Sequence, residues 1–261
     1  MKNQAGNISC TMDNGVATIT ISHPGKLNAL TDAMRGELLD CVCHADVNPD
    51  VRVIVITGAG NAFCTGGDIE YLRDLKNKND EAEFIRLLDE GRTLVQTLRN
   101  SEKPAIALID GPAFGGGLII AMACDLRFCS RTASFGMSFI KIGLGPDWGG
   151  TYLLTRLVGT ARALEMLWTG ERLSADEAMR FGLADQVWPG AELAKRGQEV
   201  AAQLARRPHE ILARYKKAVY HAANHSFDEA ADLERRYQLE NFRSHHLTEG
   251  ISAFLEKRLS E

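Results

Sequence analysis

Three glycine-rich turns, each directly after a stretch that reads as a β-strand, constrain this chain more than any other feature. They are Asn61-Ala62-Phe63-Cys64-Thr65-Gly66-Gly67-Asp68, Asp110-Gly111-Pro112-Ala113-Phe114-Gly115-Gly116-Gly117 and Gly143-Leu144-Gly145-Pro146-Asp147-Trp148-Gly149-Gly150. Nucleotide fingerprints do not fit them. Gly58-x-Gly60 and Gly143-x-Gly145 lack the third glycine at the required spacing, and no Gly-Lys-Ser/Thr exists for a phosphate loop. A glycine opening a helix serves another purpose. It bares backbone N–H groups where the helix dipole adds partial positive charge. Two such donors on one oxygen form an oxyanion hole, and the first two clusters would each supply one.

The segments between the clusters alternate between strand and helix patterns. Gly15–Ile21, Val51–Thr57 and Ala105–Ile109 read as strands, with shorter ones at Leu126–Cys129, Ala133–Phe135 and Ala184–Trp188. Thr31 is placed to cap a helix carrying Met34, Leu38, Leu39 and Val42 on one face. A charged stretch from Glu70 to Glu83 leads into a helix ending near Arg99, and Leu118–Cys124 follows the glycine triplet as an apolar helix. Thr160 is read as the cap of the next helix, which stops at Gly170. Ser174/Glu177 and Ser226/Glu229 have capping-box spacing. Beyond Pro189 only helices are expected: 191–206, 208–223, one from Ser226 and one after Thr248. The chain thus reads as α/β, with a core over residues 1–195 and a helical region over 196–261.

Composition excludes several classes. Hydrophobic residues at 45% and charged residues at 25% fit a folded globular chain. Thirty basic against 34 acidic residues give a formal charge of −4, which argues against nucleic acid as a partner. The six cysteines form no C-x-x-C pair and are too sparse for a disulfide scaffold. The opening MKNQAGNISC lacks an apolar signal core, and Leu118–Cys124 is among the longest apolar runs, far short of the roughly 20 residues a membrane span needs. A reducing, cytoplasmic location with no membrane partner is expected.

The ordered set FCTGGDIEYL, DGPAFGGGLIIAMACDLRF and FGMSFIKIGLGPDWGGTYLLTRLVG resembles the crotonase family, the enoyl-CoA hydratases and isomerases. HPGKLNAL, ALEMLWTGERLSADEAMRFGLADQV and EGISAFLEKR extend the resemblance over essentially the whole chain. It implies a crotonase-like, right-handed spiral of ββα units with a helical C-terminal region that makes trimer contacts, in a homotrimer or homohexamer. It also implies an acyl-CoA thioester substrate whose carbonyl becomes an enolate held by two backbone amides, those of Gly67 and Gly116. No separate cofactor is implied, because coenzyme A is part of the substrate. Contacts to that substrate are expected from Lys26, Leu27, Phe63, Cys64, Thr65, Gly66, Asp68, Ile69, Phe114, Gly115, Ile119, Phe139 and Trp148.

The sequence departs from the hydratase pattern at both positions where that pattern has glutamate. Ile119 and Phe139 stand there, and neither moves a proton. Asp147 is the acid that remains, at a place where isomerases of the family carry an aspartate. Burial beside Trp148 would raise its pKa toward a useful value. Double-bond isomerisation with Asp147 as acid/base is therefore the preferred expectation. Hydration of a 2-enoyl-CoA is the alternative, and a non-catalytic acyl-CoA-binding homologue the second. Halide displacement by the aspartate lacks its histidine base, since no histidine lies between His44 and His209. The plainer reading of Asp147 is a cap for the helix at Gly149. Cys64 reads as a small filler, Asp68 as a helix-start carboxylate, and no metal site is expected. His221/His225 and the adjacent His245-His246 lack a third ligand positioned by motif.

Overall fold

The computed structural model describes residues 6–260, with side chains described through Glu256. The first five residues of the polar opening lie outside the described residues. The chain divides into two compact units, Met1–Ala205 and Arg206–Glu261.

The first unit is built on a six-stranded sheet. Strands β1 (Asn7–Asp13) and β2 (Val16–Ser22) form an antiparallel hairpin through Asn14 and Gly15, both with positive φ, as a two-residue hairpin loop requires. β3 (Val53–Gly58) and β4 (Ala105–Ile109) extend the sheet in parallel. The short β5 (Pro112–Phe114) leaves it, β6 (Leu126–Ser130) returns to it, and β7 (Ser134–Gly136) leaves again. β8 (Leu173–Ser174) joins β5 and β7 in a second sheet of order β5-β7-β8, and β9 (Gln186–Trp188) completes the first, of order β1-β2-β3-β4-β6-β9.

A repeat is visible in this path. After β3, Cys64 bridges to Ala113 of the second layer before helix α2 (Ile69–Lys78) begins. After β4 come β5 and α4 (Gly116–Ala123), and after β6 come β7, a 3-10 turn (Ser138–Ile142) and α5 (Gly150–Thr169). Each turn lays one strand on the large sheet, crosses the smaller layer and closes with a helix. The expected spiral of ββα units is present, and each glycine cluster sits where a turn passes from the smaller layer to its helix.

Period-two alternation sorts the core. Ile54 and Ile56 face the main cluster, with Leu38 of α1 (Asp32–Val47), Leu94 and Leu98 of α3 (Glu81–Asn100) and the apolar α4. Val53 and Val55 face the other side, with Leu193 and Ala201 of α7 (Gly190–Ala205). Gly197 lets α7 settle on β4, since a Cβ there would lie 2.4 Å from a Leu108 methyl. α6 (Ala175–Arg180) opens on the expected Ser174/Glu177 capping box, and Thr31 caps α1 through Met34 N at 3.3 Å.

Several elements differ from expectation. β1 is mostly exposed and is held by its ladder to β2, so no apolar pattern announced it. α2 occupies the stretch read only as charged, burying just Leu75 behind its Asp68 cap. α5 begins at Gly150, ten residues before Thr160, and breaks at Gly159, where φ is 77° and ψ 165°. The three-residue β5 and two-residue β8 are too short to leave a period.

The second unit is helical: α8 (His209–Ala222), α9 (Phe227–Phe242) and α10 (His245–Ser260). Ser226 and Glu229 form the expected capping box of α9. Arg214 ties α8 to the end of α9 through Glu240 (2.9 Å) and Asn241 (2.7 Å). Leu233 is buried, whereas Leu239, Phe242 and Phe254 are exposed. No helix of the described residues is long and apolar enough to cross a membrane.

Candidate active site

The first glycine cluster is held as an extra strand between two neighbours. On one side Leu30 N–H donates to Gly66 C=O (2.8 Å) and Asp68 N–H to Leu30 C=O (2.9 Å), a parallel bridge centred on Gly67. That pattern uses the groups flanking Gly67 and turns its own N–H away from Leu30. On the other side Phe114 N–H donates to Cys64 C=O (2.9 Å), and Phe63 and Cys64 N–H donate to Pro112 C=O (3.1 and 3.2 Å). The first two clusters are therefore in direct backbone contact. A Cβ on Gly117 would lie 2.1 Å from Cys64 O, and one on Gly66, where φ is +93°, 3.1 Å from Gly116 N.

Gly116 is the first residue of α4, whose opening amides lack intrahelical acceptors. Gly115 N–H is taken by Gly136 C=O at 2.9 Å. Among the hydrogen bonds of the described residues, neither Gly67 N–H nor Gly116 N–H reaches a protein acceptor.

The third cluster folds back over this region. Asp147 C=O accepts from Gly150 N–H at 2.7 Å, which swings the chain into α5. Trp148 adopts a left-handed φ of 47° and is 7% exposed. Its indole lies between α3 and α4. A Cβ on Gly91 would meet its Cε2 at 1.8 Å, and one on Gly116 its Cζ3 at 2.8 Å. Ile119 Cδ1 would lie 2.8 Å from a Cβ on Gly150, and the Phe139 ring 3.7 Å from one on Gly115. Phe139 and Trp148 thus put apolar surface against the Gly115–Gly116 backbone, and Ile119 against the start of α5.

Asp147 is the acid that precedes Trp148 in the third cluster. Its Oδ1 is buried without a hydrogen-bond partner, as is Trp148 Nε1. Burial pushes the carboxyl up to about 6 against the opposing pull of its own backbone amide. The plain capping role does not hold. The N-cap of α5 is Gly149, and no side chain bonds there.

The remaining expected residues fall into three groups. Phe63, Cys64 and Ile119 are fully buried in the core, so Phe63 and Cys64 bring backbone rather than side chain to the cluster. Burial pushes the Cys64 thiol up to about 12, consistent with a filler. Lys26 pairs with Asp68 (2.7 Å) and Glu70 (2.5 Å). Burial alone would raise the Asp68 carboxyl, but Lys26 and the Glu70 amide outweigh it and hold it below its usual range. Thr65 Oγ1 donates to Leu27 C=O at 3.2 Å, Leu27 and Ile69 are exposed, and Arg172 lies 4.7 Å over the Phe114 ring.

Sequence reading missed Asn28, next to Lys26 and Leu27. It is buried, accepts from His23 N–H (2.8 Å), and donates to Ala59 C=O (2.9 Å) and Ala62 C=O (2.7 Å). One side chain thereby fixes the ends of β2 and β3 relative to the loop that leads to Gly67. An asparagine before an apolar pair was the available signal, and in the structure its φ is 57°. A cavity of about 280 Å³ opens there, lined by His23, Pro24, Leu27, Asn28, Ala59 and Asn61 among others. Gly91 was also missed, because a glycine inside a helix pattern gives no hint of a ring packed on it.

Residues 11–261 match the family model for enoyl-CoA hydratase/isomerase. The chain belongs to this family. Crotonase relatives include the 1,2-epoxyphenylacetyl-CoA isomerase of Escherichia coli, 36% identical over 95% of this chain and 94% of that one. A probable enoyl-CoA hydratase of Bacillus subtilis is also 36% identical, over 96% of each. Among solved crotonase-fold structures, an enoyl-CoA hydratase subunit from Geobacillus kaustophilus superimposes with a TM-score of 0.87 at 36% identity, covering 96% of this chain and 95% of that one. An enoyl-CoA hydratase/isomerase from Mycobacterium abscessus reaches 0.91 at 29% identity, covering 96% of each. The relatives carry both isomerase and hydratase names, so membership establishes a crotonase-family enzyme and not which reaction it performs.

Proposed function

We propose that the chain isomerises an unsaturated or strained acyl-CoA thioester, with Asp147 moving the proton. The observation that carries this reading is the Asp147 carboxyl, whose Oδ1 is buried without a hydrogen-bond partner, beside Trp148, whose ring presses on Gly116. The thioester oxygen sits between the Gly67 and Gly116 amides. As a proton leaves the substrate carbon for the Asp147 carboxylate, negative charge moves onto that oxygen, where two fixed N–H groups receive it. The same carboxyl, now protonated, returns the proton to another carbon, so the double bond moves and nothing is consumed. A carboxyl near 6 sits between its two roles at neutral pH. Ile119 and Phe139 supply no second acid and exclude water from the enolate. No cofactor beyond the substrate's coenzyme A is needed.

The Escherichia coli relative's name extends the candidate substrates to ring epoxides of aryl-CoA esters, and the Bacillus relative's name favours hydration as a second reading. Incubation with 2-enoyl-, 3-enoyl- and dienoyl-CoA esters and with 1,2-epoxyphenylacetyl-CoA separates them. Isomerised product, with deuterium from D₂O at the migrating position, is expected for at least one ester and should vanish in Asp147→Asn. Rapid addition of water to 2-enoyl-CoA that survives Asp147→Asn would overturn the isomerase reading. Binding of every ester without turnover would favour an acyl-CoA-binding role. We also propose a cytoplasmic homotrimer or homohexamer, with residues 196–261 in the contacts, supported by the exposed apolar side chains of α9 and α10.

A further inference from the structure

We infer that His245, His246 and Glu249, in the first turn of α10, form a binding site for a divalent transition-metal cation. Each offers one ligand atom, and the three atoms lie within 4.8 Å of one another. The His245 and His246 rings are 3.9 Å apart between centroids and tilted by 43°. His246 Nδ1 is 3.8 Å from a Glu249 carboxylate oxygen one helical turn along. Ligand atoms around a tetrahedral ion with bonds of about 2.0–2.1 Å stand about 3.3–3.4 Å apart, so the three draw in by up to roughly 1.5 Å, which side-chain rotation supplies. His245 and Glu249 are exposed, which leaves the remaining coordination position to water.

The decisive feature is the other side of the His246 ring. Its Nε2 is 3.4 Å from Glu210 Oε2, in the first turn of α8. A metal-bound imidazole characteristically donates its second ring N–H to a carboxylate, which fixes its tautomer and orientation. Glu210 holds that place, leaving Nδ1 for the metal. Two carboxylates also offset the unfavourable field that the N-termini of α8 and α10 exert on a cation. Two imidazoles and one carboxylate suit zinc, cobalt or nickel better than magnesium or calcium, which prefer all-oxygen shells.

The other histidine pair lacks this arrangement. His221 and His225 stack at 3.6 Å, but His225 Nδ1 bonds to His221 C=O at 2.8 Å. Glu229, their acidic neighbour, is engaged by Ser226. The alternative at His246 is a ring held between Glu210 and Glu249 with no metal.

The test uses untagged, full-length, chelator-treated protein at pH 7.5, titrated with Zn²⁺ by calorimetry and with Co²⁺ by visible absorption. One saturable site per chain is expected, with cobalt bands typical of low coordination number. His246→Asn and Glu249→Gln should abolish it. Glu210→Gln, which touches no metal, should weaken it roughly 10–100-fold. The double variant His221→Asn/His225→Asn should bind like the parent, and circular dichroism confirms that each variant folds. No saturable binding by the parent, or undiminished binding by folded His246→Asn, overturns the site. Unchanged affinity in Glu210→Gln overturns the assignment of Nδ1 as ligand.

Discussion

The indole of Trp148 lies close enough to Gly116 that a single added methyl would strike its Cζ3 at 2.8 Å. The residue that follows the proposed acid is thus packed on the residue that supplies a proposed oxyanion donor. Acid and donor are positioned by one contact, so a change on either side should disturb both.

Gly91, on α3, tests this coupling without touching substrate. Gly91→Ala would set a Cβ 1.8 Å from the indole and force Trp148 to move. We expect an overpacking cost of about 1–3 kcal/mol, altered tryptophan fluorescence and a lower kcat. Unchanged kcat together with a shifted emission spectrum would uncouple Trp148 from catalysis.

Gly116→Pro removes the amide and also presses a Cβ on the Trp148 ring, so turnover should fall at least as far as loss of one donor predicts. Loss of one oxyanion donor typically costs about 10²–10³ in rate. A crystal of the parent with a bound acyl-CoA should place the thioester oxygen roughly 2.7–3.1 Å from Gly67 N and Gly116 N. Amides found pointing apart in that complex would remove both from the mechanism.

Asp147→Asn should lower turnover by about 10²–10⁴-fold while leaving ester affinity intact. It should also stabilise the protein. A carboxyl raised from 3.8 to about 6 holds its proton more tightly folded than unfolded. Its contribution to stability is therefore full below pH 3.8 and is lost as pH rises through about 6. At pH 8 the buried charge is a liability of about 1–3 kcal/mol that asparagine lacks. Thermal melts should show the variant ahead at pH 8 and level with the parent near pH 4.

The same titration sets a kinetic limb. The reaction starts from the carboxylate, so kcat/KM should fall as pH drops below about 6. A flat profile through that region would place the proton transfer elsewhere.

Ile119 and Phe139 give asymmetric expectations. Ile119 is fully buried, so Ile119→Glu alone should destabilise by several kcal/mol or remain protonated. Phe139 is only partly buried and should accept glutamate more readily. If water exclusion is their role, the double variant should gain hydration of 2-enoyl-CoA, read as loss of enoyl-thioester absorbance. For the helical region, light scattering at micromolar concentration should give three or six monomer masses.

Most of the scaffold was legible because its strands and helices obey simple periods. Ile54 and Ile56 alternate with Val53 and Val55, and Ser174 and Ser226 cap as their spacing demands. What escaped was set by tertiary contact. β1 exists because β2 offers it a ladder, and β8 because β7 passes beside it. At the site, the motif indicated Gly67, Gly116 and Asp147 but not what braces them. Asn28 and Gly91 act through atoms contributed by residues far along the chain, and no local pattern encodes that.

The Leu30–Gly67 bridge divides the site into two parts with different freedom to change. Behind the Gly67 donor, Asn28, Leu30, Pro112 and Phe114 are all committed to backbone bonds, so substitution there disturbs several strands together. Residues 140–145, which follow Phe139, are exposed throughout, and a side chain added at Gly145 would meet nothing within 4 Å. In the proposed reaction, changes in that segment would leave the Gly67 and Gly116 amides where they are. Under the proposed function, variation is therefore cheapest along 140–145, by mutagenesis or by descent, and dearest behind Gly67.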